Sequence, residues 1–199
     1  MTLVLVDEYV NETFPGANYF AVCHVIASDN AVEKFQIWCR DVFEPDSLRF
    51  KYKDKVHYTD EDTATKQVLV EAVKDLDVIA KVYIWGDQNK IDKASTLKWS
   101  FSYQMQTDKN SRFIVEQSGV EYNDLPSDNI AVSDFNSHPE LAIADIFMGV
   151  FSSKFMLEKG KRDSFVERAY RMLYPRIRLE LERRFDGTTV KRTRGAKTR

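Results

Sequence analysis

The chain has 199 residues, 43% of them hydrophobic and 30% charged, with a formal net charge of −2 at pH 7. That length can form one domain with its own core, without help from disulfides or structural metals. The near-neutral charge excludes a strong overall field drawing polyanions to the whole surface. No apolar run reaches the roughly 20 residues of a membrane span, and no basic segment precedes an apolar stretch near Met1, so a cytoplasmic, unprocessed protein is expected. Cys23 and Cys39 lie in apolar surroundings without zinc spacing and read as reduced, packed thiols.

Residues 2–6 form a short apolar, β-branched run that reads as a central strand. Phe14-Pro15-Gly16-Ala17-Asn18 is turn chemistry, and residues 19–27 then read as a second strand forming a hairpin with the first. Ser28-Asp29-Asn30 offers an N-cap for an amphipathic helix over 31–42. Residues 48–53 alternate like a half-exposed strand or extended loop. Thr59-Asp60-Glu61-Asp62 places acids at the positive end of a helix expected to run to about Leu76.

Residues 78–85 are a further β-branched strand, and 93–106 a helix with Leu97, Phe101, Tyr103 and Met105 available for packing. Short strands are expected at 112–116 and 129–132. Pro139 fits the first turn of an apolar helix over 141–151. A last helix is expected over 163–185, striped by Val166, Ala169, Tyr170, Leu173, Ile177 and Leu181 and kinked at Pro175. The sum is an α/β fold with a mixed sheet of about five strands and helices inserted between them. Residues 1–186 read as one domain. Residues 187–199 form a basic tail in which Lys191, Arg192, Arg194, Lys197 and Arg199 meet no acid, suited either to phosphate contact or to solubilisation.

The chemistry is carried by carboxylates that end or interrupt apolar elements. Asp145 is the only charged residue between Leu141 and Phe151, and a buried ionised carboxylate is costly without a partner, a metal or a job. Asp7 and Glu8 end the first strand. They point to opposite faces if the strand continues, so only one would reach a shared site. Glu116 ends a later strand and reads either as a site residue or as a solvent-facing one. Asp134 follows Ser133 and reads equally as a ligand or as a turn former before Asn136-Ser137. Strand ends are where sites assemble in open α/β sheets. Carboxylates brought together raise one another's pKa unless a cation neutralises them, and Mg2+ or Mn2+ takes all-oxygen ligands. Two such ions about 3.5–4 Å apart can cleave a phosphodiester.

Val6-Asp7-Glu8 at a strand end, the later strand with Glu116, and Ser133-Asp134 followed by Leu141-Ala142-Ile143-Ala144-Asp145-Ile146 resemble the domain-of-unknown-function 3800 family. The resemblance runs from about Leu3 to Phe155. It implies a ribonuclease-H-like fold with helices on both faces of the sheet, and a divalent-metal site held by Asp7, Glu116 and Asp145, with Asp134 as a fourth acid. It also implies a basic residue near the site, Lys51 or Lys53, able to hold a phosphate. Tyr9 stands where the family has a small residue, and Glu116 where an aspartate is more usual.

The expected function is therefore metal-dependent phosphodiester cleavage of nucleic acid. The alternative is a catalytically silent binding or assembly module, with Asp145 paired to a core donor and the long final helix packed on a protein partner or a second copy. A paired-carboxylate enzyme acting on sugars is a third reading. His24 reads as a packed strand histidine, His57 shows no metal spacing, and His138 reads as a helix-start residue or a proton shuttle.

Overall fold

A computed structural model describes residues 2–11, 19–42, 57–86, 93–116, 127–156, 163–183 and 189–190. The strands are β1 (Thr2–Asn11), β2 (Tyr19–Ala27), β3 (Val78–Gly86), β4 (Ser111–Glu116), β5 (Ile130–Ser133), β6 (Ile177–Arg183) and β7 (Thr189–Val190). The helices are α1 (Asp29–Val42), α2 (Thr63–Val73), α3 (Lys93–Thr107), α4 (Leu141–Met156) and α5 (Ser164–Leu173). These strands join one mixed sheet in the order β5-β4-β1-β2-β3-β6-β7. β1 and β2 form the expected antiparallel hairpin, while β4 lies parallel to β1, β5 to β4 and β6 to β3.

β1 is central, and its apolar run is buried on both faces. Val4 and Val6 pack with Phe20, Val22, Phe113 and Val115 under Leu97 and Phe101 of α3. Leu5 points the other way, into a larger core with Tyr19, Cys23, Val25 and residues of α1, α2, α4 and α5. This alternation follows from the period-two pleat. It sets the faces of everything downstream: odd-numbered β1 residues look toward α4 and even-numbered ones toward α3. The mixed α/β sheet with helices on both faces is the ribonuclease-H-like architecture that the resemblance implies. Among the described residues no helix is long and apolar enough to cross a membrane.

Two expectations are corrected. The acids at residues 59–62 do not open a helix together; Tyr58–Asp60 form one 3-10 turn, and α2 starts after Asp62. The Asp62 carboxylate accepts the Thr65 amide at 2.7 Å, which makes Asp62 the N-cap and fixes the start there. The long C-terminal helix does not form either. α5 ends at Leu173, Pro175 sits in a 3-10 turn over Tyr174–Arg176, and the chain continues as strand β6. Pro175 has no amide to continue the α-helical ladder, so although Tyr174 stays in helical space the helix tightens into the 3-10 turn and the backbone becomes extended at Ile177. Ile177-Arg178-Leu179 then pair with Ala80-Lys81-Val82 on the edge of β3 that β2 leaves open, and after a register shift at Glu180 the pairing resumes at Leu181 with Tyr83. Ala169 and Leu173 keep the buried helical stripe, while Ile177 reaches the same core from a strand. With β6 and β7 added, the sheet has seven strands instead of about five. The expected turn at 14–18, the segment 48–53 and the basic tail beyond Val190 lie outside the described residues.

Candidate acidic site

Three elements converge on one spot. Asp7 is on the α4-facing side of β1, by the same alternation that turns Glu8 toward α3. Val6 pairs with Val115, so Glu116, the last residue of β4, stands beside Asp7 and shares its face with the buried Ile114. α4 packs over β1, and Asp145, otherwise surrounded by apolar residues, delivers its carboxylate from above; it is 8% exposed. Asp7 keeps partial exposure but is heavily desolvated. Burial pushes its carboxyl well above the usual carboxylate range. The Asp145 charge adds to that, with Glu116 and Glu8 contributing less, and only a backbone hydrogen bond from Glu8 pulls the other way. No cation is among the described groups acting on Asp7.

Asp145 is oriented by a strap that arrives from another part of the chain. Its Oδ2 accepts the Tyr58 backbone N–H at 2.7 Å, and its Oδ1 lies 3.7 Å from Nδ1 of the partly exposed His57. The Tyr58 ring is buried against α4 one turn further on. A Cβ at Gly149 would run into that ring, 2.9 Å from Cγ and closer still to Cδ1, so only glycine lets the strap lie this close. Burial and the neighbouring Asp145 charge push the Tyr58 hydroxyl pKa up and keep it neutral. His57 and Tyr58 are the site residues that the sequence reading missed. The one trace of them was a glycine inside an apolar helix, a position that needs a packing reason.

The structure does not bring Asp134 into this group. It is exposed at the end of β5, where Oδ1 accepts the Ser137 N–H at 2.8 Å. Hydrogen bonds from the Ser137 backbone and side chain hold its carboxyl below the usual range. That is the turn-former role. His138 takes the helix-start role: its Nδ1 lies 2.9 Å from Oε1 of the buried Glu140, whose Oε2 accepts Gln36 Nε2 at 2.9 Å, tying α1 to the start of α4. Pro139 lies just before α4, two residues ahead of Leu141, instead of within its first turn. His24 is fully buried, stacked on Phe101 at 5.4 Å, with Nε2 3.1 Å from Ser100 Oγ. Both cysteines are free and buried. Tyr9 does not crowd Asp7: its ring stacks on Tyr19, which pairs with Asn11, so it leans toward the far end of β1. Lys51 and Lys53 lie outside the described residues.

Among the described residues, no three His, Cys, Asp or Glu side chains stand close enough together to hold a metal ion as placed. The donor chemistry nevertheless suits a hard divalent cation: three carboxylates, no sulfur, and a negative charge around Asp7 that no described cation acts to offset there.

No family model and no curated protein matches the chain. Solved structures similar to it include three ribonucleases H. RNase HII from Archaeoglobus fulgidus, in its complex with PCNA, is 12% identical over 87% of this chain and 89% of its own, with a TM-score of 0.45. Ribonuclease H2 from Pyrococcus horikoshii OT3 is 12% identical, covering 88% of each chain, also at a TM-score of 0.45. Bst-RNase HIII in complex with Mn2+ is 9% identical with a TM-score of 0.45; the match covers 87% of this chain and 62% of that one.

Proposed function

We propose that this chain hydrolyses phosphodiester bonds of nucleic acid with Mg2+ or Mn2+ held by Asp7, Glu116 and Asp145. The observation that supports this reading best is the state of Asp7. Its carboxyl is buried in range of further carboxylates, and no described cation acts on it. An arrangement that costs stability and is built from three separate elements needs a compensating role, and a divalent ion would supply positive charge at that point. Such an ion would polarise the phosphate and acidify a bound water.

The remaining roles belong to the chain itself. The Tyr58 amide holds Oδ2 of Asp145 and so sets the direction of Oδ1, and the close fit of Tyr58 on Gly149 keeps that strap in place. Glu116 reaches the group from the parallel neighbour of β1. Lys51 or Lys53 and the basic tail would contact the phosphate backbone as point charges.

The test is cleavage of labelled DNA, RNA and DNA–RNA hybrid oligonucleotides in Mn2+ or Mg2+, with EDTA, Asp7→Asn and Asp145→Asn as controls. Cleavage that needs the metal and both aspartates is the expected result. Equal inertness of wild type and variants across the panel would remove the enzyme reading.

One observation favours a second reading, a catalytically silent module. As placed, the three acids do not close a coordination sphere, and one oxygen of Asp145 is already engaged by Tyr58. Asp7 would then be protonated against Asp145. Thermal melting separates the two: an ion that binds only the folded state raises Tm, whereas a protonated pair leaves it unchanged.

A further inference from the structure

We infer that the face carrying the carboxylates continues into a base-stacking shelf, formed by Tyr9 and Phe155 over the buried Tyr19, that takes a nucleobase of a strand whose phosphate lies at the acidic site. This inference rests on the nucleic-acid reading of that site. Tyr9 is two residues beyond Asp7 on the same face of β1, hence roughly 7 Å further along the strand, about the scale of one nucleotide step. Its ring stacks on Tyr19 with centroids 5.7 Å apart and planes at 30°. Tyr19 meets the edge of Phe155 at 5.0 Å, and Phe155 stacks on Phe151 at 6.0 Å.

The four rings divide into a support and a surface. Tyr19 and Phe151 are sealed in the core, at 1% and 7% exposure. Phe155 is 41% exposed and Tyr9 partly so, and both are held in position by the buried pair. Tyr9 lies next to Asp7 with one edge packed on the core and the rest open, and Phe155, about 15 Å further along α4 than Asp145, extends the aromatic surface away from the acids. The two rings suit a partner with a flat π face and an anionic backbone that a site cation can neutralise. A nucleobase has that chemistry, and stacking accepts any base without reading its sequence.

The experiment reads stacking directly and apart from cleavage. A short single-stranded oligonucleotide carrying 2-aminopurine is titrated with wild-type protein in Ca2+, and with Tyr9→Leu, Phe155→Ala and Tyr9→Phe. Wild type should quench the fluorescence, Tyr9→Leu and Phe155→Ala should raise Kd about tenfold, and Tyr9→Phe should bind as wild type. An abasic oligonucleotide should bind all four proteins equally weakly. Phe155→Ala, at an exposed position, guards against a folding defect at Tyr9, and melting curves verify each variant. Absence of quenching by wild type, or unchanged Kd in both Tyr9→Leu and Phe155→Ala, overturns the shelf even if the protein cleaves DNA or RNA. Quenching without any cleavage keeps the shelf and removes the nuclease reading instead.

Discussion

Replacing Asp7 by asparagine should make the metal-free protein more stable while abolishing its response to metal. Asparagine keeps the shape of the side chain and a carbonyl to accept the Glu8 amide, and removes only the ionisable proton. Asp7 has its folded pKa raised well above the ordinary 3.8, through burial first and Asp145 second. The native state therefore holds a proton that the unfolded chain has lost, between pH 3.8 and that raised value. Across that window stability falls as pH rises, and acidification toward 3.8 restores it. Each unit of elevation is worth about 1.4 kcal/mol. Removing a buried carboxyl that nothing described compensates is worth about 1–3 kcal/mol, and Asp7→Asn should gain on that order at pH 7. For a chain of 199 residues, each 1 kcal/mol raises Tm by about 2–4 °C. Thermal melts at pH 7 with EDTA, and again with Mg2+ or Mn2+, measure both halves. Wild type should melt higher in metal, by about 2.7 kcal/mol at one hundred times Kd, and Asp7→Asn should not respond. An asparagine variant that melts lower than wild type in EDTA would refute the electrostatic argument. One that still gains stability from metal would refute the ligand assignment.

Other outcomes follow from the same geometry. Gly149→Ala drives a Cβ into the Tyr58 ring and should cost about 1–3 kcal/mol in urea unfolding, with a changed near-UV tyrosine signal as the strap shifts off Asp145. His24 is neutral in the fold, its pKa lowered from 6.5 to about 3 by burial and by Lys81. The unfolded chain binds the extra proton, so His24 makes stability fall by about 1.4 kcal/mol per pH unit from 6.5 down to about 3. His24→Gln should flatten that part of the stability–pH curve, and an unchanged slope would count against it. The Tyr19 hydroxyl is buried without a hydrogen-bond partner among the described residues, so Tyr19→Phe should raise stability by about 1 kcal/mol in the same urea assay. Asp134→Ala should leave metal-dependent cleavage within twofold of wild type and the rise of Tm on adding metal unchanged, because Asp134 serves its own turn and does not act on Asp7.

Local features of this protein were legible before any fold was in hand. β-branched runs bounded by turns, and apolar residues at helical spacing, marked β2, β3 and α3 within a residue or so of their observed limits and the starts of β1 and α4. These patterns read off from period and capping alone. β1 continues five residues past Val6, so Asp7 and Glu8 lie within the strand and do not end it, and α4 continues to Met156. Asp7 and Asp145 were legible for a related reason: a charge in an apolar segment stands out wherever the segment goes. Which of the marked acids meet was a matter of tertiary packing. Asp145 and Glu116 come within electrostatic range of Asp7 because β1 pairs with β4 in one register and α4 crosses above them. Asp134, equally prominent in sequence, was captured by the Ser137 amide three residues on. The segment after Pro175 had residues for a helical stripe, yet the open edge of β3 drew it into the sheet, since unpaired backbone groups there outweigh a weak helix preference. The strap over Asp145 was invisible for the same cause. Its bond joins residues 87 positions apart, and no local pattern records a contact made only when the chain closes on itself.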